Sequence, residues 1–132
     1  MDPRLRYKTS QSLSWTRVDM LLLIYDQAVG ALNEGARLLE EHQTQEFVSV
    51  SLRAQRALLM IAEGLRLDQG EIPMNVLRLC VFALDQVATR SPAAWRSAAR
   101  VMMTIREGFQ AIQEQARTAE YEGRIPALDA VG

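Results

Sequence analysis

The chain has 132 residues, 48% hydrophobic and 23% charged, with 15 Lys and Arg against 16 Asp and Glu for a formal net charge of −1. That is the size and balance of one globular domain with a core of its own, and the near-zero charge leaves no electrostatic footprint for nucleic acid or an anionic membrane. A single cysteine and a single histidine supply neither an internal disulfide nor a multi-His metal site.

Residues 1–17 carry Arg4, Arg6, Lys8 and Arg17 against Asp2, with no apolar run behind the basic residues, so this segment reads as a basic arm and not as a secretory signal. The most apolar stretch, Met20 to Tyr25, is far shorter than the roughly 20 residues of a membrane span. The expected location is the cytoplasm, with no membrane insertion.

Only 7 glycines and 4 prolines interrupt the chain, and β-branched residues are sparse, so apolar spacing reads as helix. In the first helix, Val18, Leu22, Tyr25, Val29, Leu32, Ala36 and Leu39 alternate steps of four and three, the seam of a bundle helix. A flanking row, Leu21, Ile24, Ala28, Ala31 and Leu38, widens that seam for two neighbours. Thr16 with Asp19 makes an acidic capping box, and the spacing predicts helix from Arg17 to Glu41.

His42-Gln43-Thr44 is a polar break, with Thr44 as the expected N-cap of helix 2. Its buried row is Phe47, Val50, Ala54, Leu58, Ile61 and Leu65, ending near Gly70. Glu71-Ile72-Pro73 opens helix 3, where proline is tolerated because a first-turn N–H has no partner, and the expected core row is Ile72, Val76, Leu79, Ala83 and Val87. Ser91 as N-cap and Pro92 as first residue mark the start of helix 4, with Trp95, Ala98, Met102, Ile105, Phe109, Ile112 and Ala116 as its seam. Glu122-Gly123-Arg124-Ile125-Pro126 ends any helical register, and the last residues read as a mobile tail. Four helices joined by short loops predict an all-α protein, an antiparallel up-down-up-down four-helix bundle over residues 16–117, with an extended N-terminal arm over 1–15 and a C-terminal tail over 118–132.

Helix 3 carries more apolar surface than its bundle requires. Beside the core row stands a second row, Met74, Leu77, Val81, Leu84 and Ala88, while helix 2 adds Leu52 and Leu59 and helix 4 adds Met103. This surplus fits a groove for an amphipathic client helix or the seam of a homodimer, and the pattern alone leaves both open. Residues 18–46 hold six acidic side chains against Arg37, so the basic arm either lies back across helix 1 or stays solvated.

Chemistry finds little to work with. Glu40, Glu41 and His42 are consecutive at a helix end and point apart, Cys80 sits among apolar residues as a small hydrophobe, and Gly64 and Gly70 are not followed by the Lys-Ser/Thr of a phosphate loop. Trp15 reads as a lid on one end of the bundle. An enzymatic role and a bound cofactor are not expected.

These features resemble the flagellin-specific export chaperones, the FliS family, over about residues 7 to 112. Tyr7 falls where that family has a tyrosine in its arm, and Thr16-Arg17-Val18-Asp19 is similar to its Ser-Pro-x-Glu cap. Leu22-Leu23-Ile24-Tyr25-Asp26 resembles Leu-Met-Leu-Tyr-Asp, and Arg53-Ala54-Gln55 resembles Lys-Ala-Gln. Leu67 to Ile72 looks like the Leu-Asp…Gly-Gly-Glu-Ile junction, and Ile105 to Phe109 like Phe-Arg-Asp-Ala-Trp. Two departures stand out: Gln27 follows Tyr-Asp where the family has glycine, and Cys80-Val81-Phe82 occupies the place of Tyr-Asp-Tyr, which implies a drier groove, a dimer or a divergent client.

The resemblance implies a cytoplasmic, ATP-independent chaperone. It would bind the disordered C-terminal region of flagellin, block premature polymerisation and deliver the client to the flagellar type III export gate. Leu52, Leu59, Leu77, Val81 and Leu84 are the expected client anchors, and Tyr7 marks the arm as a movable cover. The competing reading is a structural or regulatory homodimer paired through the helix 3 stripe.

Overall fold

The computed structural model describes residues 17–112 and Glu122. Each of the four apolar rows becomes a helix: α1 over Arg17–Glu40, α2 over Thr44–Glu63, α3 over Glu71–Val87 and α4 over Pro92–Ala111, with a 3-10 turn at Leu67–Gln69 between α2 and α3 and no strand among the described residues. The arm over 1–15 with Tyr7 and Trp15, the Thr16 cap, Ala116 and the tail over 118–132 lie outside the described residues. Internal contacts divide the chain into residues 23–107, which hold most of all four helices, and residues 1–22 with 108–132. Of the second unit, the helix ends 17–22 and 108–112 and Glu122 are described.

The protein is all-α, a four-helix bundle. Two ion pairs set the direction of α1 against α4. Arg96 Nε donates to Glu40 Oε1 at 2.9 Å, and Arg106 donates to the Asp26 carboxylate. Position rises along α1 as it falls along α4, so the two run antiparallel. α2 and α3 pack against each other as an antiparallel hairpin through the 3-10 turn.

Local chemistry accounts for the boundaries. α1 closes in a Schellman motif: the Gln43 N–H donates to the Leu38 carbonyl at 2.9 Å, the His42 N–H to the Leu39 carbonyl at 3.3 Å, and His42 takes the left-handed conformation with φ 59°. Glu41 therefore lies just past the helix, which ends at Glu40. Thr44 is the first helical residue of α2 and not its cap; Gln43 holds the cap position without a side-chain hydrogen bond. α2 stops at Glu63, well before the expected Gly70, because the chain turns at Gly64 and re-forms as the 3-10 turn, leaving Leu65 half-buried outside the helix.

Gly70 has φ +107°, a conformation open to glycine and strained for other residues, and it directs the chain into α3. At α4 the sequence reading holds. Ser91 Oγ accepts the Ala94 N–H at 3.2 Å, a cap of the kind worth about 1 kcal/mol.

The core of residues 23–107 is built around Trp95, fully buried on α4. Its indole N–H donates to the Thr89 carbonyl at 2.9 Å, and its ring centroid lies 5.0 Å from that of Phe47 on α2. On α1 the ring lies so close to Gly35 that a Cβ there would overlap it. Arg90 stacks over the other contact, with its guanidinium carbon 5.3 Å from the Phe47 centroid. Tyr25, Leu32, Leu38, Leu58, Ile61, Cys80 and Met102 complete the set of large fully buried side chains.

The core differs from the spacing at particular positions. Ala57 and Ala99 join it, while Ile72 is 72% and Leu79 37% exposed. On α3 the buried arc is set by Val76, Cys80, Ala83 and Val87, and at 100° per residue Leu79 falls about 70° outside its centre. Cys80 occupies the place that the spacing gave to Leu79, and it lies near the buried Tyr25 of α1. Ile112 is also exposed, at 44%.

The Gly35 notch yields a direct test. Gly35→Ala forces a methyl group into the Trp95 ring and costs roughly 1–3 kcal/mol of stability, the usual range for overpacking a well-filled core. Urea denaturation followed by far-UV circular dichroism measures this, and a stability equal to or above that of the native protein would show that the ring can move aside.

Candidate docking face

The outer surface of the α2–α3 hairpin carries the exposed apolar residues that the bundle leaves over. On α2, Val48, Leu52 and Leu59 are 56%, 54% and 46% exposed, and at 100° per residue they share a strip about 40° wide. On α3, Met74, Leu77, Val81, Leu84 and Ala88 fall within about 80° of arc, centred about 110° from the buried arc. Val81 is half exposed, at 50%, and Leu77 and Leu84, nearer the core, are half-buried.

On α2 the half-buried Ser51, Gln55 and Ala62 lie on the side of the strip nearer the core, as Leu77 and Leu84 do on α3. In an antiparallel hairpin these two sides meet, so both strips flank one seam. Leu59 then stands level with the N-terminal half of α3 and Leu52 with its C-terminal half. The five residues expected as anchors thus share one face, three of them open and two forming its floor. Inside the seam, Gln55 Nε2 donates to Ser51 Oγ at 3.1 Å, a hydrogen bond within α2.

Sequence reasoning missed part of this surface. Val48 extends the α2 strip by one turn, and its spacing of four before Leu52 is the signal that would have found it. Met60, 46% exposed, lies on the far side of α2, and Ile72 and Leu79 form a separate edge on the opposite flank of α3. Met103 on α4 is 37% exposed.

The titratable groups behind the face are quiet. Burial pushes the Cys80 thiol up to about 11, and burial first, then the neighbouring Cys80, pushes the Tyr25 phenol well above its ordinary value. Both are neutral at physiological pH. A hydrogen bond from Arg96 holds the exposed Glu40 carboxyl below its usual range, and a hydrogen bond from Arg37 does the same for Glu34. Among the described residues no three His, Cys, Asp or Glu side chains gather as metal ligands do, and no helix is long and apolar enough to cross a membrane.

The geometry defines a class: a helical bundle that presents a preformed apolar face along one hairpin. The family model described as flagellar protein FliS matches residues 1–116, and the chain belongs to that family. No curated protein and no solved structure matches it. The family is one of flagellar export chaperones for flagellin, not known as enzymes.

The buried thiol makes a prediction about pH. Its raised pKa means that folding favours the protonated form, so this contribution is whole below the ordinary thiol value near 8.5 and is lost as pH rises towards about 11. At pH 8 a disulfide reagent such as Ellman's should react with Cys80 at least about a hundredfold more slowly in the folded protein than in denaturant, because the thiolate is scarce and shielded. Equal rates would show that α3 opens freely.

Proposed function

We propose that the protein is a cytoplasmic export chaperone that docks the disordered C-terminal region of flagellin on the α2–α3 face. In this reading Leu52, Leu59, Leu77, Val81 and Leu84 anchor apolar side chains of a client segment that becomes helical as it binds, losing its conformational entropy at that moment. Covering those client residues prevents premature polymerisation, and the loaded complex carries the client to the flagellar type III export apparatus. The segment 1–15 with Tyr7 acts as a removable cover on the bundle of residues 16–117, and 118–132 forms a tail. No cofactor or nucleotide is required, since binding energy alone drives the exchange.

The observation that carries this reading is the second apolar strip of α3. Val81 is half exposed beside Leu77 and Leu84, across the seam from exposed Leu52 and Leu59. Family membership supports flagellin as the occupant. Val81 of this strip stands where the resemblance places the aspartate of Tyr-Asp-Tyr, and an apolar side chain there supports a client surface with few hydrogen-bonding demands.

Calorimetric titration with a peptide covering the C-terminal region of flagellin from the same organism tests the reading. The expected result is 1:1 binding with a negative heat-capacity change, weakened by about 1–3 kcal/mol in Leu52→Ala or Val81→Ala and abolished in Val81→Asp, which retains its helical circular dichroism. Absence of binding, with a dimer in solution that Val81→Asp splits, would transfer the face to self-association.

A further inference from the structure

A second groove lies between α1 and α2, about 440 Å³ in volume, on the far side of α2 from the α3 seam. Gly30 and the small residues Ala31 and Ala57 keep it open, and nothing lies within 4 Å of where a Cβ on Gly30 would be. Arg53 and Arg56 form its α2 wall. Neither makes a hydrogen bond or an ion pair among the described residues, whereas on α1 and α4 Arg37 bridges Glu34 and Glu41, Arg96 holds Glu40 and Arg106 holds Asp26. The acids nearest the groove are therefore already engaged. Asp26, in the groove itself, belongs to Arg106, and Glu34 to Arg37, with Arg53 adding only a weaker pull from a distance.

These two guanidinium groups adjoin the docking face. At 100° per residue, Arg56, Met60 and Arg53 continue round α2 from the Leu52 strip over about the next 100°. A helix laid along α2 with its apolar side on that strip would bring one polar flank over Arg53 and Arg56. An i, i+3 arginine pair is matched by two carboxylates at i, i+3 or i, i+4 on the opposing helix. Small floor residues and the flexible Met60 let the carboxylates approach without displacing a packed side chain.

We infer that Arg53 and Arg56 form the electrostatic edge of the docking face and select a client helix that carries a pair of acidic residues on the flank beside its apolar stripe. This rests on the client reading above and deepens it. The apolar strip supplies most of the affinity, while the arginine pair fixes which way round the helix lies and speeds its encounter.

The test uses the full-length protein and the flagellin C-terminal peptide, in native form and with the acidic residues of its polar flank changed to lysine. Arg53→Glu/Arg56→Glu should weaken binding of the native peptide by about tenfold, mainly through a slower association rate, as two partly exposed charge pairs would. It should also flatten the salt dependence and improve binding of the lysine peptide, with helicity and melting temperature unchanged. Unchanged affinity and salt dependence in this variant, while Val81→Asp still abolishes binding, would overturn the inference and leave the client reading standing. Tight binding of a peptide with no acidic residue on either flank would do the same, as would a dimer that the double variant splits without altering peptide affinity. Failure of the native protein to bind the peptide at all would overturn both.

Discussion

The seat of Trp95 on Gly35 is the constraint on which the remaining structure depends. The largest buried side chain in the described chain lies close against a backbone with no Cβ, and its one polar atom is satisfied by the Thr89 carbonyl of the loop that leads into its own helix. Burial of an indole without that partner would carry the desolvation cost of its N–H. The ring therefore fixes three things together: the distance between α1 and α4, the path of the α3–α4 loop, and, through Phe47, the position of α2. The Ser91 cap and the Thr89 hydroxyl, which donates to the Gln86 carbonyl at 2.8 Å, hold the loop in the shape this requires.

With α1, α2 and α4 so placed, α3 fills the remaining side, and it does so with small residues. Its buried arc is Val76, Cys80, Ala83 and Val87, whereas Met74, Leu77, Leu79, Val81 and Leu84 lie at its edges or outside. An ordinary bundle helix places its larger apolar side chains inward, because each fully buried one stabilises the fold by about 1.5–3 kcal/mol. Cys80 lies on this arc near the fully buried Tyr25 of α1. The result is a helix with part of its apolar surface directed outward.

How far this was legible in the sequence differs by residue. The helices, their order and the α4 start were readable, because the three-four spacing, Ser91-Pro92 and the Pro73 position each act through local backbone chemistry. The α1 terminus was off by one residue because the left-handed position falls on His42, where glycine would have announced it. The end of α2 was misplaced because Gly70, the more conspicuous glycine, serves α3 and not α2. Ile72 and Leu79 were assigned to the core on spacing alone, which cannot register that Cys80 and Tyr25 share a site. The α2–α3 strips were legible as surplus apolar residues, but their junction along one seam required the antiparallel pairing of the two helices. Arg53 stood out in sequence only as part of the Arg53-Ala54-Gln55 triplet and Arg56 not at all, since an arginine engaged with an acid looks the same there as one that is not.

The distribution of ion pairs explains why the two sides of the bundle behave differently. Among the described residues, the pairs that join helices run between α1 and α4, at Glu40 with Arg96 and Asp26 with Arg106, and none joins α2 to α3. Exposed pairs of this kind add little stability, but a ligand approaching the α1–α4 side would have to strip water from groups already matched to each other. On the α2–α3 side a ligand would meet apolar strips flanking a seam where Gln55 bonds Ser51, so contact there would mainly remove water from hydrocarbon. The ion pairs between helices thus lie on the α1–α4 side, and the α2–α3 hairpin keeps its outer strips apolar.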